Sequence, residues 1–534
     1  MKTYRLIILV FAIFLQAMSG TAGAAPGNKG NRAKIRILHA DRAIPGRDTL
    51  PTKLLGNVRL KHNDIIISCD SLYQYERKNF VKAFSRVHMV QNDTLNMWGE
   101  LATYDGNSQM AKVRRKVKLQ DPQITLTTDF LDYDAANEIG HYFNTGHIED
   151  STNTLDSELG YYYVPLNTLF FRKDVVLRSP QYLMESDTMK YHTVTKVINI
   201  LGPSTIFGKD KELYSEDGWY NTLTAHAELY KNNRMDFSSY HGLADTLIAD
   251  STENKMYMYR NVELQDSLNG IIITGHYGEA LKTDNYAFVT DSAMLTIIGS
   301  PKDTIYLHSD TLTLREITVD DSIRTQTFNA FRGVRFFHKN LQGQCDSMSL
   351  TTLKDTIVHL YYDPVVWATG NQMTADNIDL HMKNGKTEKF VLKMNALIIN
   401  LPDTNTILRL DTNMYNQVRG RIITGLFKDN DLYRINVNES CETIYYPDEK
   451  GVPFALTYVL STKMSIDLEK RKVKSINFLS HPDGQMTPLF MVKPQNQFLK
   501  GFKWRAEERP ATKEEIFIYP LQAPAAEDQI PETE

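Results

Sequence analysis

Gly56-Asn57-Val58-Arg59-Leu60, a polar break from Lys61 to Asp64, and the run from Ile65 to Leu72 around Cys69-Asp70-Ser71-Leu72 form a unit that returns along the chain. It comes back as Arg86-Val87-His88-Met89 with Leu95 to Tyr104, and as Lys116-Val117-Lys118-Leu119 with Ile124 to Tyr133. A later copy is Gly333-Val334-Arg335-Phe336 with Cys345-Asp346-Ser347-Met348. In five copies a valine (Val58, Val87, Val117, Val175, Val334) stands 12 residues before a small or acidic position, occupied by Asp70, Gly99, Asp129, Asp187 and Asp346. Positions 70, 99, 129, 157 and 187 are separated by 29, 30, 28 and 30 residues. A period of about 30 marks stacked supersecondary units, each burying its apolar side against its neighbours.

Inside each unit apolar and polar residues alternate with period two, and Val, Ile, Thr and Tyr dominate, so the segments are strands. Asn63-Asp64, Asn92-Asp93 and Asp121-Pro122 supply the turns between them. The expected fold is all-β, elongated and stacked. Because a stack grows in one direction, its function belongs to an extended surface and needs no local catalytic pocket.

The chain has 534 residues and a formal net charge of -4, which argues against a field for nucleic acid and for an evenly mixed solvated surface. Lys2 and Arg5 precede an apolar run from Leu6 to Met18, and Ala22-Gly23-Ala24 supplies a small-x-small cleavage site. Residues 1–24 therefore read as a cleaved signal peptide, the run being shorter than the roughly 20 residues of a spanning helix. Three cysteines cannot staple so long an exported chain. Cys69, Cys345 and Cys441 stand in like contexts, and are expected to fill one inward slot in distant units as free thiols.

No nucleophile elbow, zinc-protease helix motif, phosphate loop or dinucleotide fingerprint is present, so no enzyme activity and no cofactor are expected. The recurring Asp70, Asp129, Asp187, Asp310, Asp346 and Asp376 could bind calcium or do acid/base work on a polysaccharide. The structural alternative is a short acceptor that satisfies backbone N–H groups at a bend in each unit, and it is preferred. No metal site is expected. Tyr75, Tyr104, Tyr133 and Tyr191 recur near the end of the second strand and read as half-buried residues whose hydroxyls reach water. Residues 205–260 fit the repeat less well.

The unit resembles that of the OstA-like lipopolysaccharide-transport family: Gly56-Asn57-Val58 matches its Gly-Asn-Val, and Asp70 with Tyr75 and Asp129 with Tyr133 match its small-Asp-then-Tyr element. Asn416-Gln417-Val418-Arg419-Gly420 through Phe427-Lys428-Asp429-Asn430 to Val437-Asn438-Glu439-Ser440 is similar to the related repeat near the C-terminus of long members. The resemblance implies an antiparallel β-jellyroll, or β-taco, folded as a V whose apolar groove carries lipid acyl chains across the periplasm. It implies OstA-like blocks at 49–225, 226–400 and 401–480. By composition the polar, Gly- and Arg-rich stretch 25–48 reads as a flexible lead-in, and 481–534 as a proline-containing, loop-rich tail. Val58, Leu60, Val87, Met89, Val117, Leu119, Val175, Leu177, Val334 and Phe336 share one strand face and are the expected groove lining, with Arg59, Lys118 and Arg335 facing outward. The implied role is a periplasmic bridge, peripheral to the inner or outer membrane, that carries lipopolysaccharide between them. The implied partners are the lipid A acyl chains, inner-membrane transporter components and an outer-membrane β-barrel translocon, the proteins being met by strand-edge addition. The alternative is a β-solenoid surface protein that binds or cleaves polysaccharide.

Overall fold

The computed structural model describes residues 33–518 except 48–49, 210, 238–239, 251, 269, 282–285, 300–303, 321–322, 353–354, 369, 384–385, 402–413, 429–430, 450–451 and 470–471. Residues 1–24, expected to be a signal peptide, and the acidic end of the tail lie outside the described residues. The chain divides into two compact units, Met1–Ser151 with Glu158–Asn167, and Thr152–Ser157 with Thr168–Glu534. This division falls within the block 49–225.

In the first unit, strands Thr52–His62, Ile65–Tyr75, Phe80–Gln91, Leu95–Asp105, Met110–Gln120, Thr125–Asp134 and Ile139–Glu149 each pair antiparallel with the next. Arg36–His39 and Arg42–Ile44, in the stretch expected to be a lead-in, pair with the outer side of Thr52–His62. The fold is all-β and antiparallel, as the period-two pattern requires.

Every second strand is bent at its middle by two successive residues with positive φ: Gly56-Asn57, Ser85-Arg86, Arg115-Lys116, Asn144-Thr145 and Lys173-Asp174, at intervals of 29 or 30 residues. The partner strand gives one unpaired residue to the bend, so Leu55 pairs with Ser71 and Val58 with Cys69 while Asp70 is skipped. A bulge of two residues against one turns both strands together and keeps the apolar positions of each half on the inner side. Leu54, Val58, Leu60, Ile65, Ile67, Cys69 and Leu72 are accordingly buried. Each bent strand thus contributes to two walls, and the apolar core lies between them.

The recurring acids sit at these bends. Asp129 accepts a 3.0 Å bond from the Lys116 backbone N–H, and Asp70 accepts 2.7 and 2.9 Å bonds from the Arg86 guanidinium. Asp310 meets Arg332 at 2.8 Å, and Asp376 accepts from Asn395 at 3.1 Å. In the second repeat the bend acid is Glu100, 2.9 Å from Lys116 Nζ, and not position 99. Its turn, Asn92-Asp93-Thr94, is one residue longer than Asn63-Asp64, which moves Gly99 into the inward slot opposite Val87. There a Cβ would lie 2.5 Å from Val113 Cγ1, so the slot excludes a side chain.

The second unit keeps the scheme. In the less regular region the bend widens into a break, and Val197–Ile200 and Ser204–Phe207 both pair with Leu183–His192, one on each half. Pro203, which has no N–H for the ladder, lies in that break. Two such tracks of short strands run side by side and rejoin on Lys255–Asp266. Long bent strands then resume with Ile271–Leu281, Tyr286–Ile298, Thr304–Asp320, Ile323–His338 and Leu341–Thr352.

The segment from Leu489 to Ile518 crosses the outer side of these later strands. Gln417 donates to Gln497 O at 2.8 Å and accepts from Leu499 N–H at 2.8 Å; Gln372 donates to Lys503 O and accepts from Arg505 N–H, both at 2.7 Å. Leu499 packs among Leu397, Ile399, Ile444, Tyr446 and Leu456, with Phe502 and Trp504 beside them. Arg335 is therefore not outward in the sense of being exposed: it is 5% accessible, and its Nη2 donates to Glu508 O at 2.8 Å. The three cysteines are free and buried. Cys69 pairs with Val58 and Cys345 with Val334, but Cys441 follows the bend at Glu439-Ser440 and so takes the valine's slot.

A left-handed backbone costs an L-residue about 1–2 kcal/mol unless it is glycine. Arg115, with φ 64° and an exposed side chain, should gain up to about 1 kcal/mol of stability as Arg115→Gly and lose about 1–2 kcal/mol as Arg115→Ile, measured by urea unfolding.

Candidate functional site

The ten residues expected to line a groove all point between the walls and are buried. Val58, Leu60, Met89, Leu119, Leu177 and Val334 are wholly inaccessible, Val87, Val117 and Val175 nearly so, and Phe336 is 6% exposed. Those of the first unit and those of the second occupy equivalent positions in their own repeats. The interior is filled by its own side chains. Phe336, for example, lies over Gly343, where a Cβ would come within 2.2 Å of the ring.

The edges of the two walls opposite the bends are joined by a column of tyrosines. In the first unit the Tyr104 hydroxyl is 2.7 Å from His62 Nδ1, Tyr133 donates to Gln91 Oε1 at 2.7 Å, and Tyr162 donates to Asp121 Oδ2. Each tyrosine ends a strand of one wall, and its partner ends a strand of the other. In the second unit Asn153 Nδ2 donates to Tyr191 at 3.1 Å, and Tyr220 meets Tyr182 edge-on at 5.3 Å. Tyr104, Tyr133, Tyr162, Tyr191 and Tyr220 follow at constant steps of 29 residues. Burial pushes the hydroxyl pKa of Tyr104, Tyr133 and Tyr162 well above the ordinary tyrosine value, so they stay protonated donors.

The hydroxyls of Tyr104, Tyr133, Tyr162 and Tyr191 meet protein partners, where for Tyr104, Tyr133 and Tyr191 contact with water is expected. Tyr75 is only half-buried and lies outside the column. Tyr162 and Tyr220 are not among the tyrosines expected from the sequence, although their 29-residue spacing is a signal it contains.

At the next step stands Ala249. Beyond it, in strands Lys255–Asp266 through Thr304–Asp320, the inward positions Leu264, Ile271, Ile273, Ile297 and Ile305 are half-exposed. Their equivalents Leu60, Ile65 and Ile67 in the first unit are buried. The second unit therefore holds a stretch of apolar interior that its own walls do not seal.

Residues 32–187 match the OstA-like protein family. That region, which takes in the repeats from Gly56 to Asp187, is OstA-like, a family of transport and binding β-structures and not of enzymes. No curated protein matches the chain. Among the described residues no group of three His, Cys, Asp or Glu side chains comes together as a metal ion would require. No helix of the described residues is long and apolar enough to cross a membrane.

Tyr133→Phe leaves the buried Gln91 Oε1 without this donor and should cost about 1–3 kcal/mol, readable as a lowered urea midpoint with unchanged slope. Burial pushes the Cys69 thiol up to about 11 and the Cys345 thiol up to about 12. At pH 8 the reactive thiolate is then about one part in a thousand and one in ten thousand, so alkylation followed by mass spectrometry should be slow on the native chain. It should quicken as pH rises towards those values, and become rapid at pH 8 once the chain is unfolded.

Proposed function

We propose that this chain is a periplasmic lipid-binding bridge that carries lipopolysaccharide from the inner to the outer membrane through the apolar space between its walls. The observation that supports the reading is a two-walled, largely apolar interior, repeated through the OstA-like region 32–187 and, in the later strands of the second unit, left partly unsealed at Leu264, Ile271, Ile273, Ile297 and Ile305. Acyl chains enter the second unit where its walls are unsealed, and the first where its walls part along the tyrosine column. Each methylene taken from water contributes about 0.8 kcal/mol, so a lipid with several chains is held without a charged pocket.

Val58, Leu60, Val87, Met89, Val117, Leu119, Val175, Leu177, Val334 and Phe336 line this path in the closed state. The blocks 49–225, 226–400 and 401–480 belong to the same proposal, as does export by a cleaved signal peptide. Unpaired strand edges support docking to membrane partners by strand addition. In the first unit these are Arg36–His39 and Arg42–Ile44, with Ile37, Leu38 and Ile44 exposed. In the second unit they are Lys472–Leu479 and Asp483–Pro488, each paired only with Ala455–Glu469 among the described residues.

A photocrosslinking residue at Ile273, Ile297 or Leu119 should label lipopolysaccharide, and one at outward Arg59 or Lys118 should not. Equal labelling of both sets, or an organic extract of the purified chain free of acylated lipid, would overturn the reading.

A further inference from the structure

The whole chain is slightly acidic, but residues 34–120 hold sixteen Lys and Arg against eight Asp and Glu. The charge is segregated, and not evenly mixed as the overall balance suggests. In the first unit the register places part of this excess on one outer face. Lys53 pairs with Tyr73, Tyr73 with Lys82, Lys82 with Thr103, and Thr103 with Lys112, so three lysines stand in one row across five strands. Alternate strands are about 10 Å apart, which sets the spacing of the row.

All three lysines are exposed. Lys53 and Lys82 have no carboxylate within 4 Å among the described residues, and Lys53 Nζ lies 5.4 Å from the Tyr73 ring centroid. Lys112 reaches Asp132 only at 3.9 Å, where Arg114 is nearer at 2.5 Å. The adjacent row on the same face contains Phe84 and Phe130, half-buried and outward, on the side opposite the apolar core. Exposed lysines, two of them without a carboxylate partner, interleaved with part-exposed aromatic rings are the composition of a protein surface that lies on lipid headgroups: the cations are drawn to anionic lipid, and the rings settle at the boundary of headgroup and chain.

We propose that this outer face of the first unit docks on the surface of an anionic bilayer. The inference rests on the proposed role at a membrane, but does not require lipid between the walls. The charge complementarity favours a bilayer over a soluble acidic protein, because half-exposed rings gain from a headgroup boundary and not from a solvated acidic partner.

The test is co-sedimentation of the full chain with phosphatidylcholine vesicles, with and without phosphatidylglycerol. Binding to the phosphatidylglycerol vesicles should be at least about tenfold stronger, and should fall as salt is raised. The Lys53→Glu/Lys82→Glu/Lys112→Glu variant should lose about tenfold, and the Lys→Arg triple should retain binding. Lys428→Glu/Lys463→Glu/Lys474→Glu, three exposed lysines of the second unit, should stay within about twofold. Equal binding to both vesicle types, or equal loss in the two Glu triples, would overturn the proposal. So would tight binding to heparin without binding to vesicles, which would point to a soluble polyanion. Circular dichroism melting of each variant separates lost binding from lost fold. An organic extract of the Lys53→Glu/Lys82→Glu/Lys112→Glu variant should hold as much acylated lipid as that of the parent chain, so that failure of the docking face and failure of the lipid path are read separately.

Discussion

The structure depends on one backbone constraint: two successive left-handed residues on one strand, set against a single skipped residue on its partner. A flat ladder of such strands would present one apolar face and one polar face, and nothing would cover the apolar one. The bend folds that face onto itself. Because two residues are skipped on one side and one on the other, the inward parity survives the corner on both strands, and Val58 continues the face begun by Leu54 as Cys69 continues that of Leu72. Asn, Ser, Arg and Lys fill most of the strained positions, glycine only a few. The acid on the neighbouring strand helps to hold them, through a backbone N–H at Lys116 and through side chains at Arg86, Arg332 and Asn395.

Once the apolar face is folded, the free edges of the two walls must also be satisfied. The tyrosine column does this with a hydroxyl long enough to reach the opposite edge while its ring stays in the core. The result in the first unit is an interior packed by its own side chains, so that any guest must replace wall-to-wall contacts and does not simply fill a void. In the second unit the column stops and the isoleucines of successive strands are left half-exposed. The difference in side-chain cover, and not in backbone scheme, distinguishes the two stretches.

The outer faces of the two units differ in character. That of the first unit meets solvent with lysines and aromatic rings, whereas in the second unit the C-terminal segment covers that of the later strands. Gln372 and Gln417, both wholly inaccessible, each use the amide nitrogen and oxygen to bind the backbone of that segment. Such pairing leaves neither side with an unsatisfied buried group, which is why polar side chains can stand beside Trp367, Ile399 and Ile444.

What the sequence by itself determined is whatever repeats locally: the period-two strands, the step of about 30 residues, the inward valines and the structural use of the acids at the bends. These follow from alternation and spacing that any copy of the unit displays on its own. The tertiary structure alone decided where Tyr104 and Tyr133 send their hydroxyls, since their partners lie 42 residues away on the other wall. It also decided that Glu100 and not Gly99 stands at the second bend, that Cys441 takes a different slot from Cys69, and that Arg335 lies beneath a segment 173 residues further on. Turn lengths shift the register by single residues, and wall-to-wall and segment-to-sheet contacts join residues far apart in the chain. The local pattern shows the tyrosine spacing but not what each hydroxyl meets, because the partners are set by how the bent strands come together.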